Sequence, residues 1–108
     1  MTKWIKSDTK QVIDTNVAGI TVDGTYYLLR NEMERTRPFV FGAKVMEAGH
    51  TATVQLFADV LGVVTNLGSA LVPTNGSPAA GTNEYTLTGE RGIVVSGVTG
   101  TVYPEAIQ

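Results

Sequence analysis

Residues 51–103 constrain the fold of this chain more than any other stretch, because they form a series of short alternating runs rich in Thr, Val and Gly. In Thr51-Ala-Thr-Val-Gln-Leu-Phe-Ala58 the small or apolar residues Ala52, Val54, Leu56 and Ala58 alternate with mostly polar ones, the period of a strand buried on one face. No segment carries a convincing 3.6-residue period. Short strands separated by turn formers, roughly seven to nine of them, predict an all-β sandwich or barrel.

The rest of the chain extends that pattern. Asp23-Gly24 lies between Ala18-Gly-Ile-Thr-Val22 and Thr25-Tyr-Tyr-Leu-Leu-Arg30, and an Asp-Gly pair suits the positive φ angles of a type I′ turn, so a hairpin is predicted there. Phe39, Phe41, Ala43 and Val45 alternate with Val40, Gly42 and Lys44, giving a strand with its aromatics on one face. Residues 47–50 turn it into the Thr51 strand. Residues 61–72 are divided by Gly62, Asn66 and Gly68 and predict one or two short strands. Residues 73–83, dense in Pro, Gly, Asn and Ser, read as a long loop. Strands follow at residues 84–88, 92–96 and 101–103, and Pro104 is expected to end the pairing.

With 108 residues the chain is expected to hold one domain and one core. Eight Lys and Arg against ten Asp and Glu leave a net charge of −2, so a basic nucleic-acid face is not expected. There are no cysteines, which excludes a disulfide framework, a thiolate metal site and a cysteine nucleophile. No run of 18 apolar residues occurs, and no apolar stretch follows the early lysines, so a soluble protein made in the cytoplasm, without membrane partner, is expected.

Residue types able to do chemistry are sparse. His50 is the one histidine and falls in a predicted turn, a poor base for a triad or a metal cage. The acids are scattered through separate segments, and Gly97-Val-Thr-Gly100 lacks the spacing of a phosphate-binding loop. The expectation is therefore a protein with no catalytic residues, no cofactor, no metal and no small-molecule substrate. Two segments stand out as interaction candidates. Residues 1–10 read as an arm whose Trp4 and Ile5 either dock on a neighbour or form a first strand of the same domain. Residues 30–37 surround Met33 with Arg30, Arg35 and Arg37, a composition favoured at interfaces.

Four segments together resemble small accessory proteins of tailed-bacteriophage virions: Thr51-Ala-Thr-Val-Gln-Leu-Phe-Ala58, Thr65-Asn-Leu-Gly-Ser-Ala-Leu71, Tyr85-Thr-Leu87 and Arg91-Gly-Ile-Val-Val-Ser-Gly-Val-Thr-Gly-Thr-Val102. The pattern is similar to that of capsid decoration, or cement, proteins. That resemblance implies a single-domain antiparallel β-sandwich, jelly-roll-like, over residues 11–108 with the arm before it. It further implies a non-enzymatic virion protein on the capsid surface, partnered by the major capsid protein and stabilising the joints between its subunits. A homodimer or homotrimer is expected, because closed symmetry presents one contact to a symmetric lattice. The alternative reading is a tail-associated or cell-surface module that recognises carbohydrate through Tyr27, Tyr85 or Tyr103.

Overall fold

The structure, a computed structural model, describes residues 2–29, 38–85 and 89–107. These residues build an all-β domain with no helix among them. The strands are β1 (Lys3–Lys6), β2 (Val12–Asp14), β3 (Gly24–Leu29), β4 (Phe39–Lys44), β5 (Thr51–Val60), β6 (Val63–Asn66), β7 (Ala79–Tyr85), β8 (Glu90–Thr99) and β9 (Tyr103–Ile107). A six-stranded sheet runs in the order β2-β1-β3-β8-β5-β6, and a three-stranded sheet runs β7-β4-β9. Every pairing is antiparallel. The double Greek key of a jelly roll is not confirmed by this order.

Alternation decides what each strand buries. Tyr26 and Leu28 of β3, Val54 and Leu56 of β5, and Ile93 and Val95 of β8 face inward from the large sheet, and Phe39, Phe41 and Ala43 of β4 face them from the small one. The two sets form one apolar cluster, so the sheets share a single core. Phe57 is the exception on β5, since it is buried on the opposite face. Its ring covers Gly92 of β8, where an added Cβ would come within 2.4 Å of the Phe57 ring and 2.8 Å of the Tyr26 carbonyl oxygen. Only a glycine lets that ring lie so close to the sheet.

Of the two readings of residues 1–10, an arm docked on a neighbour or a first strand of the same domain, the strand is the one observed. β1 lies between β2 and β3, and Trp4 is 0% exposed, its ring edge-on to Phe41 of the other sheet with centroids 6.2 Å apart. Burial of so large a side chain, worth on the order of 1.5–3 kcal/mol, is satisfied within the chain's own core. Trp4 also donates its indole N–H to the Pro104 carbonyl at 3.0 Å, and the Thr2 hydroxyl both donates to the Ala106 carbonyl and accepts the Ala106 N–H, each at 3.1 Å. These bonds join the two sheets at one corner.

They also explain why Pro104 does not end the pairing. In β9 it stands opposite Ala43 of β4, with its carbonyl turned away from β4 toward Trp4. The backbone positions that point the same way are those where an antiparallel pair makes no hydrogen bonds, so the N–H that proline lacks is one the ladder does not use.

The Asp23-Gly24 hairpin is not formed. Asp23 does not adopt positive φ, and its carboxylate accepts the N–H groups of Gly97 (3.2 Å) and Val98 (2.9 Å) instead. Ile20 exchanges backbone bonds with Val102 at 2.8 and 2.9 Å, so residues preceding Asp23 run beside the chain's C-terminal part rather than back along β3. Long-range pairing wins over local turn propensity. The expected long loop is shorter too, because residues 79–83 already belong to β7 and residues 74–77 close on themselves through two Thr74–Ser77 backbone bonds.

Candidate interaction surface: the β5–β6 hairpin

A two-residue hairpin lies where the sequence carries no Asn-Gly or Asp-Gly signal. β5 turns into β6 through Leu61 and Gly62, at φ 52° and 87°, with Val60 paired to Val63. Positive φ at both central positions is the type I′ geometry that matches strand twist. Glycine adopts it freely, whereas leucine in that conformation costs about 1–2 kcal/mol. The side chain of Leu61 makes nothing back, because it is 100% exposed.

Its neighbours are apolar and exposed as well. Val60, Val63 (67%) and Val64 (57%) flank the turn, and Val63 and Val64, being adjacent in a strand, point to opposite faces. The end of the hairpin thus projects beyond the core. The exposed apolar groups are gathered around one turn rather than scattered over the surface.

The projection is braced from below. One carboxylate oxygen of Asp59 accepts the Gly62 N–H at 2.9 Å, and the other accepts the Tyr27 hydroxyl at 3.3 Å. Tyr27 packs edge-on against Phe57 with centroids 5.5 Å apart, which links the turn to the outer face of β3, β5 and β8. Burial, and then the Asp59 carboxylate beside it, hold the Tyr27 phenol above its ordinary pKa. Below the turn, Leu67 donates its N–H to Leu56 at 2.8 Å, and Leu71 and Val54 exchange backbone bonds at 2.8 and 2.9 Å. The Gln55 amide donates to the carbonyls of Leu67 (3.3 Å) and Gly68 (3.2 Å), closing the irregular stretch between them.

The side chains singled out in the sequence fall elsewhere. Trp4 is in the core, Ile5 is half-buried in β1 between Val12 and Tyr27, and Arg30, Met33, Arg35 and Arg37 lie outside the described residues. Tyr27 and Tyr103 sit on different sheets and form no common platform, and the side chain of Tyr85 is outside the described part. His50 lies at the turn where it was expected and is half-buried there. Its Nδ1 accepts the Thr101 N–H at 3.2 Å and its Nε2 lies 3.2 Å from the Glu47 carboxylate, so it ties the β4–β5 turn to the β8–β9 turn.

A groove of about 490 Å³ opens beside β2 and β3, lined by Val12, Ile13, Asp14, Val17 and Tyr26, with Lys6 at its edge. The Lys6 ammonium meets Asp8 at 2.7 Å, a bond that raises the lysine pKa and lowers that of the carboxyl. Among the described residues no three His, Asp or Glu come together to hold a metal ion.

The fold and the hairpin define a class: an all-β domain of two antiparallel sheets that displays a braced apolar tip. Comparison with models of known protein families, with curated protein sequences and with solved structures gives no match.

Proposed function

We propose that this chain is a non-enzymatic structural protein of a tailed-bacteriophage virion, made in the host cytoplasm, that binds the outer capsid surface and stabilises joints between major capsid subunits. The observation that supports the reading most is the exposed Leu61, held in left-handed geometry at the end of a braced hairpin. A side chain kept in water at a conformational cost is explained by a contact made outside the chain. Burying Leu61 offers about 1.5–3 kcal/mol gross, less than the cost of association for a tight one-to-one complex. A capsid repeats the same contact many times, and linked weak contacts add through effective concentration.

Replacing Leu61 with glycine tests the tip without harming the fold, since glycine suits the same backbone. Co-sedimentation with capsids is expected to fall about tenfold for Leu61→Gly, the loss of roughly 1.4 kcal/mol of contact. Undiminished co-sedimentation would remove the tip from the interface, and failure of the unaltered protein to sediment with any capsid would remove the virion reading itself.

A further inference from the structure

A sheet edge left open to solvent invites another strand, and proteins commonly block it with charge, proline or a covering segment. Three of the four edge strands contain charge or proline in their sequence: Asp14 in β2, Glu84 in β7, and Pro104 and Glu105 in β9, whose outward carbonyls at 104 and 106 are already bonded to Trp4 and Thr2. β6, Val63-Val-Thr-Asn66, has neither charge nor proline and is exposed along its whole length. No Asp, Glu, Lys or Arg occurs anywhere in residues 60–83.

The register shows which backbone groups face outward. Val60 and Val63 close the two-residue turn as a hydrogen-bonded pair, so Asp59–Val64 is a non-bonded pair, Ala58–Thr65 bonded and Phe57–Asn66 non-bonded; the Leu67 N–H on Leu56 continues the alternation. The N–H and C=O of Val64 and Asn66 therefore point away from β5. Among the described residues none receives them.

From this we infer that β6 pairs antiparallel with β6 of a second copy, joining the two large sheets into one across a two-fold axis through Thr65. In that register Val64 of each copy bonds Asn66 of the other, and Thr65 meets Thr65. The pairing cannot centre nearer the turn, because the Gly62 N–H that would be needed is already held by Asp59. Two-fold symmetry sets residues on the axis against their own copies, so a charged edge repels itself whereas an uncharged one does not. Val63 and Val64 are covered by the partner strand, and each Leu61 is left projecting at an opposite end of the seam. The inference stands on the edge alone and does not rest on the virion reading.

Sedimentation equilibrium of the whole chain from micromolar to millimolar concentration reads it out. The expected result is a doubling of mass within that range, with association weakened at least about tenfold by Thr65→Lys, which sets two ammonium groups face to face. Far-UV circular dichroism and Trp4 fluorescence confirm that the variant keeps its fold. Thr65 pairs on the axis with Cα atoms about 4.5 Å apart, inside the range a disulfide spans. In a chain without cysteine, Thr65→Cys is therefore expected to oxidise to a covalent dimer, and Val12→Cys at the opposite edge is not. A strict monomer, a dimer indifferent to Thr65→Lys, or cross-linking through Val12→Cys in preference to Thr65→Cys would each overturn the inference.

Discussion

Leucine stands at φ 52° in a turn position where asparagine or glycine is usual. Releasing that strain has a measurable counterpart in stability. Leu61→Gly is expected to raise the free energy of unfolding by about 0.5–1 kcal/mol, the relief of left-handed geometry less glycine's extra entropy loss, as read in urea denaturation. A variant more stable yet weaker in binding would separate the two roles of one side chain. Beneath it, Tyr27 makes stability depend on pH in a definite direction. Its raised pKa means that the folded chain holds the phenolic proton more tightly than the unfolded chain, in which tyrosine ionises near pH 10 (about 10 in model peptides). The contribution is complete below that value and is lost as pH rises through the folded one. Denaturation over a pH series is expected to show stability falling in that alkaline range, and falling less steeply in Tyr27→Phe. Part of the slope persists in the variant, because burial raises Tyr26 as well.

Strands differ in how far their own letters announce them. β4 and β5 were legible because Phe39, Phe41 and Ala43, and Ala52, Val54 and Leu56, alternate over a long enough run to fix one face. β1 was not, because four residues, Lys3-Trp-Ile-Lys6, are too few to show a period, and what makes them a strand is a pocket formed by Phe41 and Pro104 far along the chain. Removing residues 1–10 is therefore expected to unfold the domain rather than to free it of an arm. Circular dichroism of the shortened chain checks this, with Trp4→Ala as the milder case at a cost of about 3–5 kcal/mol. The hairpins reverse the same lesson. Asp23-Gly24 has the better turn letters, but Asp23 is drawn to the backbone of β8, while Leu61-Gly62 has poorer ones and turns because β5 and β6 pair on either side of it.

On the scale of the whole molecule, the two-sheet all-β architecture followed from the strand pattern, and the way its surface is divided did not. Exposure depends on where a strand ends relative to the core, which one-dimensional spacing does not encode. Val63 and Val64 read in the sequence like any buried pair, and only the sheet order, with β6 outermost, puts them in water. The same order puts the charge-free segment at an edge. The same surface division puts the exposed apolar turn and the uncharged edge strand on neighbouring parts of the molecule.

The corner where Thr2 and Trp4 meet Ala106 and Pro104 has a consequence for how the molecule comes into being. Residues 100 or more positions apart must touch before the core is sealed, so β1 can pair with its near neighbours β2 and β3 well before its contacts with β9 can form. A fold closed by contacts so distant in sequence is rich in non-local pairings, and such folds form slowly, over milliseconds to seconds. Until β9 docks, the indole N–H of Trp4 lacks its carbonyl partner, so sealing of this corner is a late event in folding.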